Sequence, residues 1–190
     1  MSRALVMAAA VIGLSAGPFS RSSAAQEPVK AYLVGDPEPG RKAPVFKLPY
    51  FTADGPGPVD QPFTLEAELG RVVVLAFCRG VSDSAAATLL RNLSTRYDSL
   101  FAGDVAVAAL VAAGSASVAA AAQGNSLRVK LLSDSASRIR RQYGIERNQI
   151  GVYVIGLDGR VTWRDLRFNP FLATGYDRLS QAVQDAARRR

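Results

Sequence analysis

Val72-Val73-Val74-Leu75-Ala76-Phe77-Cys78-Arg79-Gly80-Val81-Ser82-Asp83-Ser84-Ala85-Ala86 changes character at its middle. Val72 to Phe77 is apolar at every position and rich in β-branched residues. A short run without alternation suits a central strand buried on both faces. Arg79-Gly80 ends the run. Ser82 or Asp83 can cap a helix, because a short oxygen-bearing side chain accepts the free amides of a helix's first turn. Beyond the cap, Ala86, Leu89, Leu90, Leu93, Tyr97, Leu100 and Phe101 recur at three- and four-residue spacing, which places them on one helical face. Gly103-Asp104 ends that segment. A strand that turns into a helix exposes amide groups at the helix start. Those amides favour an anion or lower the pKa of a thiol placed against them. Here that turn carries Asp83 and Ala86, and the chain's one cysteine, Cys78, lies upstream on the strand.

Reading outward, Val105 to Leu110 is a second buried strand, and the alanine-rich stretch from Ser115 to Gln123 is a helix. Leu127 to Leu132 alternates and is expected at a sheet edge. Ser135 to Tyr143 is helical, with Gly144 as its stop. Gly151 to Leu157 and Arg160 to Arg164 flank Asp158-Gly159, the turn dipeptide of a β-hairpin. The last helix starts at Thr174 or Asp177 and aligns Tyr176, Leu179, Val183 and Ala186. On the N-terminal side, Ala43 to Leu48 alternates as a short strand, and Ala53 to Pro62 is a Gly/Pro-rich loop. Phe63-Thr64-Leu65 begins a turn, and Glu66 to Leu69 is a helical fragment. Strands alternating with helices imply parallel pairing, and the closing hairpin adds an antiparallel part. The pattern predicts an α/β fold with a mixed central sheet flanked by helices.

The chain has 190 residues, 48% of them hydrophobic, enough for one domain with a real core. Met1 to Ala25 reads as a secretory leader. Arg3 supplies its basic start, Ala4 to Ala16 is nearly all apolar, and Ser23-Ala24-Ala25 offers small residues for cleavage. Its apolar core is shorter than the roughly 20 residues of a membrane span. The reading is an exported protein, periplasmic or extracellular, without a stable membrane span. The organisation expected is a leader over 1–25, an extended or loosely docked arm over 26–42, a globular domain over 43–187 and a basic tail over 188–190. The net charge is +7, of which Arg3 and Arg21 belong to the leader, leaving about +5 on the remainder. The other arginines are scattered, and only Arg188-Arg189-Arg190 forms a run, so nucleic acid is not expected as a partner. There is no histidine, which excludes Ser-His-Asp and Cys-His catalysis and His-ligated zinc. One cysteine excludes an internal disulfide and any Cys-x-x-Cys centre. No metal-loop spacing is present among Asp134, Asp158, Asp165 and Asp177. No cofactor is expected.

The order of these segments and their local sequence resemble the thioredoxin-like superfamily, specifically the peroxiredoxin or redoxin group called alkyl hydroperoxide reductase/thiol-specific antioxidant. The resemblance runs from about Gly40 to Ala187. It is carried by Gly40-x-x-Ala43-Pro44-x-Phe46-x-Leu48, Phe63-x-Leu65, Val72 to Phe77, Leu131-Leu132-Ser133-Asp134, Tyr143-Gly144-Ile145, and Val152 to Ile155 with Asp158-Gly159-Arg160-Val161. It implies a thioredoxin-like three-layer sandwich and thiol chemistry at the turn after the central strand. Members that read Phe-Tyr-Arg-Gly-x-Trp-Cys-Pro-x-Cys align with Phe77 to Ala86 without gaps. Phe77, Arg79 and Gly80 match. Asp83 stands at the first cysteine position and Ala86 at the second. In members with Thr-x-x-Cys, the peroxidatic cysteine also falls on Ala86. The family's later arginine would lie just before Val152, where this chain has Gln149, Ile150 and Gly151, with Arg147 three positions too early.

Five residues therefore define the candidate site. Cys78 is the only thiol and the only conceivable catalytic nucleophile; the alternative is a small apolar filler at a strand end. Asp83 and Ala86 are degenerate active-site positions, with Asp83 read as the helix cap. Arg79 and Ser82 are candidate ligand contacts, and no histidine is present to activate Ser82 or Ser84. Two functions follow. One is a binding or accessory module that has lost thiol peroxidase chemistry and takes a protein or small molecule at the C-terminal ends of the strands. The other is an antioxidant oxidoreductase or peroxidase that uses Cys78 with an external thiol reductant. Neither fixes an oligomeric state.

Overall fold

The computed structural model describes residues 35–101, 103–124 and 127–189. The proposed leader, 1–25, and the first part of the arm, 26–34, lie outside the described residues. In chain order the elements are β1 (Lys47–Leu48), β2 (Tyr50–Thr52), β3 (Gly55–Pro56), β4 (Phe63–Thr64), a 3-10 turn (Glu66–Glu68), β5 (Val72–Cys78), α1 (Ser84–Thr95), α2 (Tyr97–Leu100), β6 (Val105–Val111), α3 (Ser115–Gly124), β7 (Lys130–Ser133), α4 (Arg138–Gln142), β8 (Gly151–Ile155), β9 (Val161–Asp165) and α5 (Ala173–Arg188).

The main sheet has the order β3-β2-β7-β6-β5-β8-β9. β5 is parallel to β6, and β6 to β7, while β8 runs antiparallel to β5 and β9 antiparallel to β8. All seven residues of β5 are buried, as its unbroken apolar run requires. Its side chains alternate between two layers, as strand geometry dictates. Val72, Val74, Ala76 and Cys78 join the core built by α1, α3 and α5. Val73, Leu75 and Phe77 join the opposite core with Phe46, Phe63, Ile139 and Tyr143. The result is the three-layer, mixed-sheet architecture expected from the sequence. No described helix is long and apolar enough to cross a membrane.

Several elements differ from the sequence reading. β7 is not an edge strand, because β2 pairs with its free side, placing Tyr50 opposite Leu132 and Phe51 opposite Leu131. The helix expected to reach Phe101 breaks at Arg96, whose backbone (φ −101°, ψ 14°) leaves the helical region and restarts as α2. The helix expected over Ser135 to Tyr143 is only five residues long. The loop over Ala53 to Pro62 contains β3. The last helix starts at Ala173, before both expected positions.

The described part of the arm is closely docked. Gly40 N–H donates to Val161 O at 2.8 Å, Val161 N–H to Arg41 O at 2.9 Å, and Ala43 N–H to Gly159 O at 3.0 Å. Asp36 accepts from the Tyr153 hydroxyl at 3.0 Å and from Arg164. Burial pushes the Tyr153 phenol above its ordinary pKa, and the Asp36 carboxylate adds to the effect. Gly144 has φ +66°, and a Cβ there would lie 2.8 Å from Cβ of Asp36. A residue without a side chain lets the arm pass this close.

Candidate functional site

β5 ends at Cys78, and α1 begins at Ser84, so five residues make the turn between them. Asp83 has extended backbone (φ −78°, ψ 125°), and its carboxylate Oδ2 accepts the Ala86 N–H at 2.9 Å. Of the two candidate caps, Asp83 is the one used. The same carboxylate receives the Arg79 guanidinium, with Nε at 3.2 Å from Oδ2 and Nη2 on Oδ1. The helix start therefore already holds an anion, and that anion is neutralised by a neighbouring cation. Ser82 is exposed on the same turn. Ala86 is fully buried and packs in the core under α1.

Cys78 also lies in that core, with no exposure to solvent. Burial pushes its thiol up to about 12; the Arg140 guanidinium pulls the other way, and the Asp83 carboxylate adds to the rise. The balance is physically reasonable, because a thiolate loses its hydration entirely in an apolar core, and a cation engaged elsewhere restores only part of it. A thiol in this state is protonated at neutral pH, whereas thiol attack requires the thiolate.

Arg140 is the residue that the sequence reading missed. It is 3% exposed. Its Nη1 donates to Cys78 O at 3.0 Å, its Nε and Nη2 to Glu146 O at 3.2 and 3.1 Å, and its Nη2 also to Gln149 O. The guanidinium thus ties the end of β5 to the loop before β8. Asp134 sets up this arrangement by accepting the N–H groups of Arg138 and Arg140 at 2.8 and 2.9 Å, which fixes the start of α4. The only hint in the sequence was that position 140 follows Ile139 on the buried side of a helix.

The position just before Val152 is Gly151, which opens β8; a Cβ on it would require the Ile145 side chain to shift, because Ile145 Cδ1 occupies that space. Among the described residues, no group of three or more His, Cys, Asp or Glu side chains is placed to hold a metal ion. The structure brings Cys78, Arg79, Asp83 and Ala86 within one turn but separates their roles: Ala86 and the Cys78 sulfur face the core, while Arg79 and Asp83 face outward as an ion pair.

Beside this turn lies an open cleft of about 370 Å³. It is lined by Arg79 and Ala85 from the turn and α1, by Gln149 and Ile150 from the segment before β8, and by Arg167 and Phe171 from the segment after β9. A larger cavity of about 610 Å³ lies between β1 and α4 and contains none of the five candidate residues.

The sequence model of the AhpC/TSA family matches residues 39–164. Comparison with curated proteins found no match. Among solved structures, the reduced 2-Cys peroxiredoxin of Plasmodium vivax superposes with a TM-score of 0.65 at 19% identity, covering 77% of this chain and 96% of that one. AhpC of Enterococcus faecalis gives 0.63 at 13% identity, covering 76% and 89%. A putative thiol:disulfide interchange protein DsbE from Chlorobium tepidum gives 0.57 at 19%, covering 79% and 98%. At these identities the likeness concerns the fold, which is the thioredoxin-like sandwich that the sequence resemblance implied.

Proposed function

The chain belongs to the AhpC/TSA family, and on that premise we propose that it is a binding or accessory module that has kept the family's fold without its thiol peroxidase chemistry. One observation carries this reading: the helix start after the central strand is occupied by the Asp83 carboxylate, paired with Arg79, while the chain's single thiol, Cys78, is sealed in the core. Peroxide reduction by a thiol needs a reachable thiolate and groups that hold the peroxide beside it. The first is opposed by the burial of Cys78, and the second by an anion seat that is already filled. What the turn does offer is a rigid wall for the adjoining cleft. Ligands of α/β sheets gather at the C-terminal ends of strands, and this cleft lies there. We place this activity outside the cytoplasm, on the strength of the basic start, apolar core and small-residue cleavage site over 1–25.

The competing reading, turnover at Cys78 with an external thiol, is tested by peroxide consumption. With hydrogen peroxide and excess dithiothreitol, the chain and its Cys78→Ser variant are expected to consume peroxide at the same rate as buffer. Turnover that depends on Cys78 would overturn the proposal.

A further inference from the structure

The cleft beside the turn has a composition that its shape alone would not predict. Its lining contains two arginines, Arg79 and Arg167, and no acidic residue. The remaining surface is largely apolar and aromatic: Ile150 and Phe168 are buried, and Phe171 stands at the rim. Phe171 is 62% exposed and its neighbour Leu172 54%, so two adjacent large apolar side chains face water. Adjacent exposed apolar residues beside a concave site are a common mark of an interaction surface. Arg79 is committed to Asp83. Arg167 is exposed; its backbone N–H donates to Asp165 Oδ1 at 3.0 Å, the Asp165 carboxylate pairs with Arg178, and the Arg167 guanidinium pairs with no carboxylate among the described residues, so its charge remains available to a ligand.

We propose that this cleft docks an acidic segment of a partner protein, seating an apolar side chain of that segment between Phe168, Phe171 and Ile150 while a neighbouring carboxylate pairs with Arg167. The inference rests on the binding role proposed above and names the chemistry of the partner. Charge complementarity selects the acidic segment: Arg79 is paired with Asp83, the Arg167 guanidinium is unpaired among the described residues, the lining holds no carboxylate, and the chain without the proposed leader keeps about +5. The filled helix start directs the carboxylate to Arg167, because Asp83 repels a second anion at the turn. The openness of the cleft selects a protein segment over a free small molecule. A small ligand here would stay half in water, whereas a partner's surface also covers Phe171 and Leu172 around the seated side chain. A membrane surface suits the cleft less well, because Ile150 and Phe168 lie buried in a hollow that a flat bilayer surface does not fill.

The test uses the full chain and fluorescein-labelled hexapeptides, each with one tryptophan or leucine flanked by glutamates. Matched peptides carry lysine in place of glutamate. Anisotropy titrations are expected to show saturable binding of the glutamate set, at least tenfold tighter than the lysine set. Arg167→Glu and Phe171→Ser each change an exposed side chain, so both variants keep the wild-type circular dichroism spectrum, and each weakens binding at least fivefold. Amide shifts on peptide addition should centre on residues 148–150 and 167–172. Absence of saturable binding, equal binding of the two peptide sets, or full affinity in both variants overturns the proposal. Capture by phosphatidylglycerol vesicles in place of the peptides also overturns it. None of these outcomes touches the peroxide assay, which decides the underlying reading separately.

Discussion

The Asp83 carboxylate accepts the backbone N–H of Ala86 at 2.9 Å, so the two positions that the family resemblance sets against cysteines are joined here by a helix cap. The contact is static, and neither side chain carries a thiol.

Restoring sulfur at both positions tests that geometry. Asp83→Cys combined with Ala86→Cys places two thiols three residues apart at a helix start. The double variant is expected to form a disulfide on mild oxidation, detected as two fewer free thiols that return on reduction. Persistence of both free thiols after oxidation would show that the turn does not hold these positions within bonding distance.

Removing the cap alone should weaken the fold modestly. Asp83→Ala leaves an amide of the first turn of α1 unsatisfied and releases Arg79; the partly exposed ion pair adds little. Urea denaturation should show a loss of about 1 kcal/mol. Asp83→Asn, which can still cap, should lose less.

Arg140 should matter more than Asp83. Arg140→Met removes the charged donor shared by Cys78 O, Glu146 O and Gln149 O where β5 meets the loop before β8, leaving Cys78 O with only the Ala112 N–H and Glu146 O with only the Gln149 N–H. The expected destabilisation is about 2 kcal/mol, that of losing hydrogen bonds to a charged group. Arg140→Lys should recover only part of it, because an ammonium cannot span carbonyls from three residues. Near-wild-type stability in Arg140→Met would mean that the guanidinium is not the tie described here.

The contrast between these residues shows what the sequence could reveal. β5 and α1 were legible because their cores are written in cis: an apolar run without alternation, then apolar residues at helical spacing. The Asp83 cap was legible for the same reason. Arg140 was not, because its partners come from two separate stretches of chain, the end of β5 and the loop at 146–149, and only the folded structure brings their carbonyls together. β2 and β3 were also hidden, since strands of two or three residues are defined by backbone pairing and leave no periodicity. Missing β2 is what made β7 look like an edge. The docking of residues 35–43 was only half legible, since a Pro/Gly composition fits an extended arm and a loosely docked one alike, and the cleft beside Phe171 is a feature of tertiary packing.

That docking has its own test. Gly144→Ala adds a Cβ 2.8 Å from Cβ of Asp36 and forces alanine to φ +66°. The backbone term alone is of order 1–2 kcal/mol. Hydrogen exchange should show lost protection at the amides of Gly40 and Ala43, which bond Val161 O and Gly159 O, while amides of β5 keep theirs. Unchanged protection at both positions would mean that Asp36 and its neighbours do not depend on the missing side chain.

The buried thiol predicts a pH dependence of known sign. The Cys78 pKa is about 12 in the folded chain against an ordinary value of 9.0. Below about pH 9 both states keep the proton, and the group does not alter stability with pH. Between about pH 9 and 12 the unfolded chain loses its proton first, so stability falls by up to about 1.4 kcal/mol per pH unit. Cys78→Ala removes this contribution, so its stability deficit relative to wild type should shrink as pH rises above 9. A deficit that stays constant up to pH 11 would argue against a sealed thiol.

The account depends most on the state of that sulfur, and intact-mass measurement during exposure of the folded chain to hydrogen peroxide examines it directly, with Cys78→Ser as the blank. The account predicts that Cys78 keeps its unmodified mass while free cysteine in the same solution oxidises, and that it reacts only after denaturation. Rapid, stoichiometric gain of one oxygen at Cys78 in the folded chain would contradict it.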